Sequence, residues 1–96
     1  MPFVSRQVTV LNKLGLHARP AMQFVDTANR FTSDVQVKKP AWQGEEAVDA
    51  DGKSVMQMII LAATEGTPLT IEANGEDAQS AVDTLAELFQ SRFGEE

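Results

Sequence analysis

The chain holds a single histidine, His17, within Gly15-Leu16-His17-Ala18-Arg19-Pro20, directly ahead of an amphipathic helical pattern. Histidine alone among side chains titrates near neutral pH without perturbation, so its neutral ring nitrogen is available as a nucleophile. At a helix start it meets backbone N–H groups and the positive end of the helix dipole, both of which attract anions. Arg19 adds a guanidinium two residues on, suited to phosphate oxygens. Together these residue types support the holding of a phosphoryl group. The plainer alternative is a histidine that caps the helix or lies on the surface. Ser54 is a second position of interest. Ser54-Val55-Met56-Gln57 matches a capping box, in which Ser caps one helix N–H and Gln reaches back to another.

Other chemistries are poorly served. The absence of cysteine removes disulfides, thiol catalysis and cysteine-based zinc sites together. One histidine with scattered carboxylates supplies no metal ligand set. No second acid or base accompanies His17, which makes an independent hydrolase a weak reading. A net charge of −6, from 14 acidic and 8 basic residues, argues against nucleic acid as a partner. Acid is concentrated late in the chain, so the charges near His17, Lys13 and Arg19, make its surroundings more positive than the whole. Met1 to Val10 contains no apolar run of signal length, and Met58 to Ala63 is far too short to cross a bilayer. The expectation is one domain over residues 1–96 in the cytoplasm, with an ordinary hydrophobic share of 43%.

The elements that must position these residues follow from periodicity. Phe3 to Leu11 reads as a strand, with Val4, Val8 and Val10 at even spacing, and Asn12-Lys13-Leu14-Gly15 breaks it. Ala21, Phe24, Val25 and Ala28 then mark one face of a helix over Ala18 to Asn29, with His17 as N-cap and Pro20 in the first turn. Arg19 precedes a proline, which predicts an irregular first turn. Asp34 to Lys39 alternates as a strand with Val35 and Val37 on one face, and Glu46 to Ala50 returns. A short apolar helix runs from Val55 to about Ala63, and Leu69, Ile71 and Ala73 mark the fourth strand. The last helix carries Ala78, Ala81, Val82, Leu85, Leu88 and Phe89 as its apolar stripe, with Asp77 or Glu76 favouring its N-terminus. The order β-α-β-β-α-β-α predicts an α+β fold in two layers, a four-stranded antiparallel sheet covered on one face by three helices.

Asn12-Lys13-Leu14-Gly15-Leu16-His17-Ala18-Arg19-Pro20-Ala21 resembles the active-centre segment of the HPr family, the histidine-containing phosphocarriers of the bacterial phosphoenolpyruvate-dependent phosphotransferase system. Asp51-Gly52-Lys53-Ser54-Val55-Met56 resembles the family's regulatory-serine segment, and Gly66-Thr67 through Ala78 makes a third match in the same order. The resemblance implies an HPr-like open-faced β-sandwich. It implies that His17 accepts a phosphoryl group on Nδ1 from phosphorylated Enzyme I and passes it to an EIIA-type acceptor. The N–H groups of Ala18 and Arg19 would cradle the phosphate and the Arg19 side chain would offset its charge. The carrier is then an intermediate in a relay and not an independent enzyme, with no cofactor or metal of its own and a monomeric state expected. Ser54 would be a regulatory phosphorylation site for an HPr kinase/phosphorylase, as in the Gram-positive branch. Met22, Val55, Met56 and Ile59 match partner-docking positions, although Met56 and Ile59 at helical spacing also fit a core.

Some positions depart from the family's pattern. Lys39 to Asp51 is a few residues longer than usual and contains Trp42, for which loop packing is the simplest reading. Gln23, Asp26 and Gln57 stand where many relatives are basic, which bears on the choice of partner. Asn12-Lys13-Leu14-Gly15 and Leu88-Phe89-Gln90-Ser91-Arg92-Phe93 are similar to the nitrogen-related branch, whose carriers regulate. Lys53-Ser54 is similar to the sugar-type carriers. A regulatory binding module therefore stands beside the transport reading as the alternative.

Overall fold

A computed structural model describes residues 2–95. The chain runs β1 (Phe3–Thr9), α1 (Ala18–Ala28), β2 (Asp34–Lys39), β3 (Val48–Asp51), α2 (Val55–Ile60), β4 (Pro68–Asn74) and α3 (Ala78–Gln90), followed by a tight turn at Arg92–Gly94. The strands form one sheet in the order β1-β4-β2-β3, with every neighbouring pair antiparallel. Alternation divides each strand between two faces. Val35, Val37, Leu69, Ile71 and Ala73 point into the core, while Gln36, Lys38, Glu72 and Asp49 stay on the open face. There Lys38 lies 3.7 Å from Glu72 and 3.9 Å from Asp49. The α+β order expected from periodicity is the order observed.

α1, α3 and the turn that follows α3 meet through a small aromatic cluster. Phe24 of α1 and Phe89 of α3 make an edge-to-face pair at 6.0 Å, and Phe93 packs on Phe89 at 4.9 Å. All three rings are buried. Aromatic pairs in this geometry add about 0.5–1.5 kcal/mol beyond the area they bury.

Three boundaries differ from the sequence reading by two residues or more, and so does the first turn of α1, each for a local reason. β1 ends at Thr9 and not Leu11, because its partner β4 begins at Pro68. Beyond that point Val10 bonds instead to the turn, through Thr67 O at 3.0 Å and Gly66 N–H at 2.7 Å. β3 begins at Val48 and not Glu46, since the preceding residues form their own small hairpin with Trp42 bridged to Glu45. Gln43 and Gly44 turn that hairpin with φ of 48° and 86°. α2 stops at Ile60 and not Ala63, where Ala62 takes φ 51° and turns the chain toward the loop ahead of α1. Arg19 is helical within α1, so the first turn is regular despite the following proline. Extended His17 absorbs the change of direction one residue earlier, and its C=O already accepts Ala21 N–H at 3.1 Å.

Lys39 obeys the alternation and therefore points inward with Val35 and Val37, 4% exposed. Its Nζ donates to Leu61 O at 2.7 Å and to Glu45 Oε1 at 2.9 Å. Burial of an ammonium group is tolerated only with such partners. The long segment holding Trp42 thus supplies the carboxylate that neutralises Lys39, and Lys39 anchors the end of α2.

Candidate functional site

The loop from Asn12 to His17 is held at both ends. Gly15 N–H donates to Asn12 O at 3.1 Å, and the buried Asn12 side chain donates through Nδ2 to Gly15 O at 2.7 Å. Leu16 N–H donates to Ala63 O at 2.9 Å, which ties the loop to the turn after α2. Gly15 has φ +69°, and a Cβ there would run into the Ala63 carbonyl. Only glycine fits this position without displacing a backbone. Leu16, buried, fixes the loop to the core one residue before the histidine.

His17 is the N-cap of α1, extended at φ −72° and ψ −174°, and its side chain makes no capping bond. The imidazole is consequently free of the helix and turned to other partners. Its Nε2 lies 2.8 Å from Glu95 Oε2 and 3.1 Å from Glu95 Oε1. The side chains are 36% and 12% exposed, respectively. Asn12 Nδ2 donates a second bond, to Glu95 Oε1 at 3.0 Å. Asn12 Oδ1 is buried without a partner among the described residues. Exchanging the amide's ends would not help, because both groups facing Nδ2 are acceptors.

The start of α1 supplies the other half of the site. The N–H groups of Ala18 and Arg19 have no acceptor among the described residues, as expected for the first turn of a helix. The Arg19 side chain is exposed and makes no ion pair among those residues. Two N–H donors, one guanidinium and one imidazole therefore stand within three consecutive residues. Such a set can bind an anion and present it with a nitrogen nucleophile.

Ser54 is the N-cap of α2 and its Oγ accepts Gln57 N–H at 3.2 Å. The reciprocal half of the expected capping box is different. Gln57 Oε1 accepts from Asp51 N–H at 2.8 Å and not from Ser54, whose own N–H goes to Asp51 O at 3.1 Å. Ser54 is half-buried, and neighbouring Lys53 reaches Phe31 O at 2.7 Å. The histidine and serine stand at the starts of two helices that pack against each other.

Met22 on α1 and Met56 and Ile59 on α2 are exposed, at 53%, 70% and 39%. Val55 is half-buried against the core, which is reached instead by Met58. Ile60 and Leu14 are exposed as well and went unmarked in the sequence. Glu95 and Asn12 were also missed as site residues. Asn12 looks like any turn-forming asparagine, and Glu95 is 78 residues from His17 in a run of acid with no periodic signal.

The motif, fold and comparisons agree. Residues 4–91 match the family model described as PTS HPr component phosphorylation site. The chain is 43% identical over 89 residues to phosphocarrier protein HPr of Pseudomonas aeruginosa, covering 93% of each. It is 40% identical over 91 residues to phosphocarrier protein NPr of Proteus mirabilis, covering 95% of this chain and 96% of the relative. The crystal structure of phosphocarrier protein HPr from Bacillus anthracis superposes with a TM-score of 0.79 at 38% identity, covering 94% of this chain and all of the other. With that motif seated in that fold over nearly its whole length, the chain belongs to the HPr family of phosphocarriers.

Proposed function

We propose that His17 is the phosphoryl acceptor, taking the group on Nδ1 from phosphorylated Enzyme I and passing it to an EIIA-type protein. The observation that carries this reading is the placement of the imidazole at the N-cap of α1, beside two N–H groups with no acceptor among the described residues. In-line phosphoryl transfer asks chiefly for positioning and charge stabilisation. Here the pinned Gly15-Leu16 loop positions the ring. Ala18 and Arg19 N–H and the Arg19 guanidinium would take the three phosphoryl oxygens. In this reading the phosphoryl group stays on the ring until the next protein takes it. The chain is then a relay carrier, which we place in the cytoplasm as a monomer.

Exposed Met22, Met56 and Ile59 would form the apolar part of the docking surface, with half-buried Val55 at its margin. Methionine suits a surface that meets several partners in turn. Ser54, on the same helix pair, is the regulatory site. A phosphate there adds about −2 charge near the docking face and hinders acidic partners. An HPr kinase/phosphorylase is the matching enzyme.

Incubation with phosphoenolpyruvate, Enzyme I and magnesium should give an acid-labile, alkali-stable label that His17→Ala abolishes. Equal labelling of the variant would refute the assignment. A second reading, regulation in place of sugar import, draws on the comparable identity to relatives named NPr and HPr. Which EIIA-type acceptor drains the label faster, nitrogen-related or sugar-specific, decides between the two.

A further inference from the structure

We propose that Glu95 is the positioning residue that holds the proton of His17 on Nε2, leaving Nδ1 unprotonated as the nucleophile. This inference rests on the phosphocarrier reading of His17 and deepens it. Both carboxylate oxygens face Nε2, at 2.8 and 3.1 Å. An ionised carboxylate only accepts hydrogen bonds, so the ring nitrogen opposite it must be the N–H. The other ring nitrogen of a neutral imidazole then carries the lone pair. A partner on the far side of a ring fixes its tautomer and orientation in the same way around metal sites.

The carboxylate is itself held in place. Asn12, fully buried, bonds Glu95 Oε1 with the same Nδ2 that closes the active loop on Gly15 O. The backbone that delivers Glu95 is unusual. Arg92, Phe93 and Gly94 take φ of 57°, 54° and 73°, a left-handed turn containing two residues that carry a Cβ. Such conformations persist only where the surroundings over-determine them. Here the buried Phe93 ring against Phe89 and the bond from Glu95 N–H to Arg92 O at 2.8 Å do so. The family-wide match ends at residue 91, ahead of this hook.

The chemistry balances without moving a proton. The Nδ1 lone pair forms the N–P bond as the donor's bond to phosphorus breaks, and the ring becomes a phosphoimidazolium with Nε2–H still bonded to Glu95. On onward transfer the N–P electron pair returns to Nδ1 and a neutral imidazole leaves. Without a proton on Nε2 the leaving group would be an imidazolate, a far poorer one. The carboxylate offsets the positive charge of the phosphorylated ring and lies on the side away from the incoming group.

The test uses the full chain labelled with nitrogen-15, as wild type, Glu95→Ala and Glu95→Gln. With the ring neutral at alkaline pH, wild type should show a single tautomer protonated at Nε2, with slow exchange of that proton. Glu95→Ala should lose the slow exchange and transfer phosphoryl groups about three- to tenfold more slowly in single turnovers, measured well below its Tm so that the protein stays folded. Glu95→Gln, which keeps an acceptor oxygen without the charge, should retain the tautomer and recover part of the rate. A wild-type ring protonated at Nδ1 overturns the proposal, as does a Glu95→Ala variant with the wild-type rate or a faster one. Failure of wild type to label at all would overturn the phosphoryl-acceptor reading, while the ring spectra would still decide whether Glu95 sets the tautomer.

Discussion

Asp77, at the threshold of α3, closes on Ser33 at the entrance to β2. One carboxylate oxygen accepts both the Ser33 N–H, at 2.9 Å, and its hydroxyl. The other accepts the Thr32 N–H at 2.8 Å and its hydroxyl at 3.3 Å. Sequence logic assigns Asp77 to the N-terminus of α3, but no side-chain capping bond forms there. Its carboxylate instead joins two elements 44 residues apart. Gly75 allows the approach, since a Cβ at that position would collide with Ser33.

Hydrogen bonds from Ser33, then Thr32, lower the Asp77 pKa from 3.8 to about 2. The bonds favour the ionised form in the folded state, so folding releases the proton more readily than the unfolded chain does. The stabilisation is therefore complete above pH 3.8 and disappears as pH falls toward 2. Asp77→Asn should be less stable than wild type at pH 6, with the gap closing between pH 4 and 2 in urea melts. A gap independent of pH would contradict the assignment.

Gly15→Ala should be disproportionately harmful for a single methyl group. Its φ of +69° and the Ala63 carbonyl in the path of a Cβ predict a loss of about 1–3 kcal/mol. The loop can relieve the clash only by giving up the bond from Leu16 to Ala63, which would displace His17. Denaturant midpoints and the rate of His17 phosphorylation should fall together.

Lys39→Met keeps the length of the buried stem and removes the ammonium group. Leu61 O then loses its charged donor, at a cost of about 1–3 kcal/mol. Glu45→Gln should cost less, within about 1 kcal/mol, because its side chain is 64% exposed. Chemical denaturation of the two variants measures the difference.

Ser54→Ala removes the side-chain N-cap of α2 and should cost about 1 kcal/mol. Ser54→Asp retains a capping oxygen, so its melting temperature should stay near that of wild type. If Ser54 regulates docking, this variant should nevertheless be phosphorylated on His17 more slowly. Unchanged rates would leave Ser54 a cap and nothing more.

Legibility from sequence followed the range of the interaction. The α1 face of Ala21, Phe24, Val25 and Ala28 is a local periodicity, and all four residues are buried as expected. Ser54 as a cap is likewise written within four residues. Lys39 was half legible, since alternation gives its direction but not the Glu45 and Leu61 atoms that make it tolerable there. Glu95 and Asp77 were illegible. Their partners lie 78 and 44 residues away, and nothing in an isolated acidic residue distinguishes a solvated charge from a folded contact.

The strand order also bears on how the molecule comes into being. β4 is last of the strands in the chain and yet lies between β1 and β2. Of the three pairings only β2 with β3 joins sequence neighbours, and β1 finds its partner only across the span from Val4 to Ala73. Closing such a loop costs chain entropy before any ladder bond repays it. During synthesis β1 must therefore wait, unpaired and half-apolar, until residue 74 has left the ribosome. Formation of the sheet is then a late and collective event, on a timescale of roughly milliseconds to seconds and not the microseconds of locally wired helical bundles.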